Sequence, residues 1–126
     1  MTLTASAVEF VNDRYLAILS TLSTSVNPIH SVPVGFTVKL GILRIITSDG
    51  TQKVRNVERG GQATVAQVDG ARWISFSGPT IINRHADAVA HAVELYATRY
   101  RPPRENPTRV VIEMSIAKIM GSSGLI

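Results

Sequence analysis

Two runs rich in β-branched and other apolar residues, joined by Asp69-Gly70, constrain the fold of this chain most strongly. An Asp-Gly pair between two such runs is the strongest short-range signal for a tight β-hairpin turn. It predicts antiparallel strands over 62–68 and 72–82. Other apolar runs also end at glycine or proline turns, and these connections are too short for the crossovers that a parallel sheet requires.

The rest of the chain extends this hairpin into a mainly β fold with peripheral helices. Residue patterns predict further strands at 15–21, 29–38, 41–46 and 109–120, and helices at 5–14, 51–59 and 87–100. In the first helix we expect Ser6 to be the N-cap and Val8 and Val11 to face the core. Six short strands favour an antiparallel split β-barrel over a doubly wound sheet. With 126 residues, of which 44% are hydrophobic, residues 1–126 are expected to form a single domain.

Composition and motifs exclude several functional classes. Without cysteine there is no disulfide, thiolate metal site or cysteine nucleophile, which fits the cytoplasm. The uncharged run Tyr15–Val38 is broken by prolines, so no membrane segment is expected. The three histidines lack a metal-binding spacing. Nucleic acid is not expected as a partner, because the seven aromatic residues (one Trp, three Tyr, three Phe) do not cluster with basic residues on one strand.

The segment 47–56 is the most informative for chemistry. Hydroxyl residues end a strand, a glycine turn follows, and a helix then begins with free N–H groups and Lys53. Such a helix start is suited to an anion such as phosphate. Lys53 and Asn56 are three residues apart and are expected to share a helix face. A solvated helix with an ordinary cap explains the same residues equally well.

Three other segments each leave two interpretations open. Pro33 removes a backbone donor from its strand, which indicates either a plain edge strand with a bulge or free backbone groups that face a flat ring. The basic loop 99–109 either binds a polyanion or is a solvated connection. Trp73 belongs to packing or to an interface. No nucleophile or carboxylate pair suited to catalysis is present, which would be explained by a bound cofactor.

Several segments, in this order, resemble the pyridoxamine-phosphate-oxidase-like split barrels, and in particular the actinobacterial flavin and deazaflavin oxidoreductases. The resemblance runs nearly end to end and is carried by Val34-Gly35-Phe36-Thr37, Thr51-Gln52-Lys53, the string from Gln67 to Trp73, and Arg109-Val110-Val111-Ile112-Glu113. It implies a homodimer that binds the deazaflavin coenzyme F420 and transfers a hydride to a small conjugated molecule such as biliverdin. The alternatives are an FMN-dependent oxidoreductase and a non-catalytic barrel that binds a cofactor or nucleic acid.

The same resemblance implies roles for individual residues. The cofactor phosphate would lie against Thr47, Ser48, Gln52, Lys53 and Asn56, and the ring along His30, Ser31, Val32, Pro33 and Val34. Gln67 and Trp73 would approach the cofactor or the dimer interface. For the acceptor, we expect its carboxylates to be held by Arg72 or by the loop that carries Arg101 and Arg104. No catalytic residue is assigned.

Overall fold

Residues 2–13 and 15–126 are described by a computed structural model, and over these residues the chain forms eight strands and three helices. The strands are β1 (Ala17–Leu22), β2 (Ile29–Val34), β3 (Thr37–Lys39), β4 (Ile42–Ser48), β5 (Gln62–Asp69), β6 (Arg72–Asn83), β7 (Arg109–Ser115) and β8 (Lys118–Gly121). The helices are α1 (Ala5–Asn12), α2 (Gln52–Gly60) and α3 (Ala86–Arg99). The predicted mainly β fold is confirmed.

The strands form one sheet in the order β2-β1-β5-β6-β7-β4-β3, with β8 also paired to β6, and every pairing is antiparallel. The two strands at the ends of this order, β2 and β3, are consecutive in the chain. The sheet must therefore curl until β2 and β3 lie close together. Among the described residues, these two strands are not paired with each other. This open seam leaves one edge of β2 unpaired, as in a split barrel.

The structure has eight strands where six are predicted, because two of the predicted strands each divide. Segment 29–38 breaks at Gly35, since β2 pairs with β1 whereas β3 pairs with β4 across the seam. Segment 109–120 breaks after β7, which pairs with β4 and the second half of β6, while β8 pairs with the first half. At Gly78, between these halves, a Cβ atom would lie 2.1 Å from the Ser115 carbonyl oxygen, so the approach requires glycine.

The predicted hairpin over 62–82 is confirmed, with a shift of its turn by one residue. Asp69 is the last paired residue of β5 and faces Arg72, so the loop consists of Gly70 and Ala71. Gly70 has a φ of +60°, which glycine adopts without strain.

The first helix begins two residues earlier than the Ser6 cap implied. Thr4 is the N-cap, and its hydroxyl accepts a hydrogen bond from the Ala7 N–H at 3.1 Å. The buried face comprises Ala7, Phe10 and Val11, so Val11 is buried as predicted and Val8 is exposed. Arg14, the predicted helix end, lies outside the described residues.

Helices α2 and α3 cover different parts of the sheet. Helix α2 packs against β1 and β6, and its apolar residues Val54 and Val57, which are three apart and so share one helix face, are buried. Helix α3 packs against β3, β4 and β7. This arrangement leaves a gap between the free edge of β2 and the ends of β4 and α2. None of the described helices has the length and apolar character needed to cross a membrane.

Candidate functional site

A cavity of about 330 Å3 opens in this gap, where β2, β4 and α2 meet the loop before β7. We call it the Lys53 cavity. Among the predicted site residues it is lined by Pro33, Val34, Thr47, Ser48 and Lys53, and it is completed by Gly35, Ile46, Tyr96, Pro103, Asn106 and Arg109. The fold therefore brings the predicted phosphate segment and the predicted ring-facing strand to one cavity.

Lys53 is a half-buried cation within this cavity. Burial lowers the pKa of its ammonium group from the usual lysine value. Within the described ranges, no carboxylate oxygen lies within 4.0 Å of the Lys53 Nζ atom. Desolvation of this ammonium is thus not offset by an ion pair inside the protein, and an anionic ligand would supply the missing partner.

The nearby carboxylates are held elsewhere by Arg84. Its guanidinium contacts both carboxylate oxygens of Asp49 at 2.9 Å and Oε1 of Glu58 at 3.0 Å. The Arg84 hydrogen bond is the main reason why the pKa of Asp49 lies below its usual value. Asp49 precedes Lys53 in the chain and Glu58 follows it, and Arg84 binds both carboxylates. Among the described residues, neither carboxylate neutralises the Lys53 ammonium group in the cavity.

Arg109 adds a second cation, and Asn106 fixes the loop that carries it. The Asn106 amide Nδ2 donates to Ser48 Oγ at 2.8 Å, and Arg109 Nη2 donates to the Arg104 carbonyl at 2.6 Å. Ser48 and Arg109 are direct partners in the β4–β7 ladder. Asn106 and Arg109 belong to the basic loop 99–109, but no sequence pattern brings that loop to Ser48, because this pairing joins strands that are far apart along the chain.

Asn56 and Gln52 do not line the Lys53 cavity. Asn56 is buried, accepts from Gln52 Nε2 at 2.7 Å and donates to Thr21 Oγ1 at 3.0 Å. Its amide thus fastens α2 to β1. Gln52 and His30 line a neighbouring cavity at the other end of β2.

The central residues of β2 alternate across an exposed sheet face. Ser31 and Pro33 are exposed, whereas Val32 is half-buried. Ser31 and Ser20, which face each other across the β1–β2 ladder, have hydroxyls 2.8 Å apart. Pro33 lies on this strand with no N–H to donate. Its position on a strand with a free edge fits the interpretation of β2 as a surface for a flat ring.

Gln67, Arg72 and Trp73 lie outside the Lys53 cavity. Gln67 is fully buried, donates to the Phe10 carbonyl at 2.8 Å and accepts from Arg99 at 2.7 Å. Arg72 pairs with Asp69 at 3.1 Å, and Trp73 is 39% exposed on the same hairpin.

The three predicted acceptor-binding arginines are not brought together. Arg101 and Arg104 are exposed on either side of the cavity residue Pro103, whereas Arg72 lies on the β5–β6 hairpin. Within one protomer, any acceptor carboxylates near the Lys53 cavity would therefore meet Arg101 and Arg104 rather than Arg72.

The lining of the Lys53 cavity offers binding groups rather than acid–base chemistry. Its described lining has two cations, hydroxyls and an amide, and no carboxylate. Over residues 2–13 and 15–126, no group of three His, Asp or Glu side chains is arranged to hold a metal ion. The arrangement can hold an anion beside an apolar strand, and the reacting group must come from a bound molecule.

Comparisons with known proteins find similar sequences and similar structures. A profile of the pyridoxamine 5'-phosphate oxidase family matches residues 3–122. An F420H(2)-dependent biliverdin reductase from Mycobacterium tuberculosis is 48% identical over 126 residues, which cover 98% of this chain and 91% of that protein. A conserved hypothetical protein from the same species has a similar structure, with a TM-score of 0.81, 21% identity, and coverage of 96% of this chain and 84% of that one. A structure described as an F420 reductase gives a TM-score of 0.74 at 17% identity, covering 89% and 94%.

Proposed function

The chain belongs to the pyridoxamine 5'-phosphate oxidase family, and on that premise we propose that it is an oxidoreductase that uses coenzyme F420 to reduce a conjugated acceptor such as biliverdin. The observation that carries the proposal is the Lys53 cavity, in which two cations without carboxylate partners among the described residues lie beside the free edge of β2. The 48% identical relative, named as an F420H(2)-dependent biliverdin reductase, supports the choice of cofactor and acceptor.

The residues present fit a phosphorylated ring cofactor. Lys53 and Arg109 would bind the phosphate through charge-assisted hydrogen bonds, and the hydroxyls of Thr47 and Ser48 would add uncharged ones. The ring would lie along β2, where Pro33 is exposed. When bound in its reduced form, F420 supplies the hydride.

The protein's own contribution is to position and shield the reactants. Val34 and Tyr96 form apolar walls of the cavity, which exclude water from that side of the ligand. Holding donor and acceptor about 3 to 3.5 Å apart can supply roughly 7 to 11 kcal/mol of the barrier. Binding groups alone can therefore account for much of the catalysis.

We also propose that the active form is a homodimer. The outer face of β1, β2, β5, β6 and β8 exposes several large apolar side chains, namely Ile18, Leu22, Ile29, Val68, Trp73 and Met120. Ile18 faces Pro33 across the β1–β2 ladder, so this apolar face is continuous with the strand proposed to hold the ring. A second copy on this face would bury the apolar surface and close the cofactor site.

The reaction is tested by absorbance. Reduced F420, biliverdin and catalytic protein should show cofactor oxidation together with bilirubin formation, at a rate well above that without protein. If F420 binds and neither signal exceeds the protein-free rate, biliverdin is not the acceptor. If only FMN binds, the FMN-dependent enzyme replaces this proposal.

A further inference from the structure

Arg84, in the connection between β6 and α3, lies outside the Lys53 cavity but binds a residue of the segment that forms it. We propose that Arg84 is a positioning residue, which keeps the first turn of α2 open for a phosphate by holding the Asp49 carboxylate away from it. Because the phosphate belongs to the proposed function, this role of Arg84 rests on that proposal and extends it.

The first turn of α2 has hydrogen-bond donors without acceptors. The first N–H groups of any helix lack a partner within the helix, and a side chain at the N-cap commonly accepts from one of them. Here the N-cap is Thr51, and its hydroxyl donates to the Ser48 carbonyl at 3.1 Å instead of capping the helix. Among the described residues, the N–H groups of Gln52 and Lys53 have no acceptor. An anion that reaches this turn therefore gains these hydrogen bonds and the favourable field of the helix.

Asp49 is the carboxylate that lies nearest to these donors along the chain. It precedes the N-cap by two residues and Lys53 by four. Aspartate side chains readily accept from the N–H groups of residues that follow them in turns and at helix starts. Asp49 already does so once, since its Oδ1 accepts from the Gly50 N–H at 2.9 Å. A free Asp49 carboxylate would thus compete with phosphate for the first turn of α2.

Arg84 holds both oxygens of this carboxylate. Its Nε donates to Oδ2 of Asp49 and its Nη2 to Oδ1, each at 2.9 Å, which is the bidentate geometry of a guanidinium on a carboxylate. Nη2 also donates to Glu58 Oε1 at 3.0 Å, so a second carboxylate fixes the guanidinium. The three side chains are between 40% and 46% exposed, and ion pairs at such positions contribute little to stability. The main consequence of the contact is therefore the direction in which the Asp49 carboxylate points.

The neighbours of Arg84 fix its own position. Asn83 Oδ1 accepts from the His85 N–H at 3.0 Å, and Asn83 Nδ2 donates to Glu113 Oε1 at 3.2 Å. The residues on both sides of Arg84 are thus joined to each other and to β7. Arg84 reaches Asp49 from a fixed backbone, as a role in positioning requires.

Binding of inorganic phosphate tests this role without F420. We expect Arg84→Gln to weaken phosphate binding by about tenfold, measured by NMR from the shifts of the Gln52 and Lys53 amides. In the double variant Arg84→Gln/Asp49→Asn, the affinity should return to within about twofold of wild type, because the competing carboxylate is gone. Lys39→Gln, which removes an exposed positive charge on β3, should leave the affinity unchanged.

Spectra recorded without phosphate report where the Asp49 carboxylate lies. In Arg84→Gln, the amide signals of Gln52 and Lys53 should move in the direction in which phosphate moves them in the wild-type protein. The additional change Asp49→Asn should abolish this movement, whereas a merely structural role of Arg84 would not be reversed by it. An unchanged phosphate affinity in folded Arg84→Gln, or a loss that persists in the double variant, would overturn the role of Arg84.

Titration with F420 separates this role from the proposed function. If phosphate binding responds to the substitutions as expected and F420 does not bind, the role of Arg84 stands and only the cofactor assignment is overturned. If the wild-type protein binds neither inorganic phosphate nor F420, the phosphate site is absent and the role of Arg84 is overturned with it.

Discussion

Lys53 is the residue on which the proposed phosphate site depends most. It is half-buried, faces the cavity and has no carboxylate within 4.0 Å among the described residues. A hydrogen bond to a charged group contributes about 1.5 to 3 kcal/mol. We therefore expect Lys53→Ala to weaken F420 binding by about tenfold to about a hundredfold, measured by fluorescence titration. Lys39→Ala is the matched control, and an unchanged affinity in folded Lys53→Ala protein would remove Lys53 from the site.

The lowered pKa of Lys53 gives a pH dependence with a defined sign. Phosphate binds the protonated ammonium, and burial lowers the pKa at which the proton is lost below the usual 10.5. F420 affinity should thus be full at neutral pH and begin to fall below pH 10.5 as pH rises. Lys53→Arg should retain its affinity over the same range, since arginine stays charged. An equal decline in both proteins would show that another group titrates.

How far the site could be predicted from sequence depended on whether the contacts were local. Ser48 and Lys53 share a strand–turn–helix segment, so their proximity follows from neighbouring residues. Arg109 reaches the site only through the β4–β7 ladder, and no pattern in the sequence reveals that pairing. Asn56 shares the helix, but its amide bonds to Thr21 of β1, and no local pattern reveals this contact between residues that are 35 positions apart.

At the scale of the element, α3 is fixed to the barrel by Arg99 near its end. This buried guanidinium donates to the carbonyls of Asp13, Tyr15 and Phe36, and to Gln67 Oε1. It connects α3 to the chain before β1, to the β2–β3 connection and to β5. Burial lowers the pKa of Arg99, yet carbonyl oxygens on several sides satisfy its donors.

Replacing Arg99 should therefore destabilise the fold. Arg99→Met would leave the buried Gln67 Oε1 without a donor and the buried Phe36 carbonyl with only the Tyr100 hydroxyl at 3.5 Å, each at a cost of about 1 to 3 kcal/mol before relaxation. We expect the free energy of unfolding in urea to fall by about 3 kcal/mol or more. Arg101→Met, an exposed neighbour, should stay within about 0.5 kcal/mol of wild type. A similarly small change in Arg99→Met would mean that water replaces the lost donors.

Element boundaries could be predicted where turn residues mark them. The helix predicted over 51–59 ends at Gly60 with Gly61 as its C-cap, and the turn after Asp69 sets the central hairpin. The break at Gly35 could not be predicted, because the strand residues on both sides have the same apolar character. It follows instead from the seam of the barrel, where Gly35 packs against the tyrosines of α3 and a Cβ atom would lie 3.0 Å from Tyr96.

At the scale of the whole molecule, the antiparallel barrel could be predicted because its short connections exclude most other topologies. The proposed dimer depends on the apolar residues of the outer face. No local sequence pattern distinguishes these residues from the apolar residues of the core. Ile18 is 45% exposed on that face, and Leu40 is 92% exposed in the turn between β3 and β4, outside the strands that form it.

The proposed dimer is tested by placing a charge on each of these two surfaces. Sedimentation at micromolar concentration should show a dimer for wild type and for Leu40→Glu, and a monomer with weaker F420 binding for Ile18→Glu, because burying a carboxylate in the interface is unfavourable. A wild-type monomer that binds F420 tightly would rule out a cofactor site closed by a partner.

A side-by-side titration of the wild-type protein with F420 and FMN tests the central claim most directly. Both ligands offer a phosphate to the Lys53 cavity, but the 48% identical relative is named for its dependence on F420H(2). We predict that F420 binds at least about tenfold more tightly than FMN. Tighter binding of FMN, or no binding of F420, would contradict the assignment of an F420-dependent reductase.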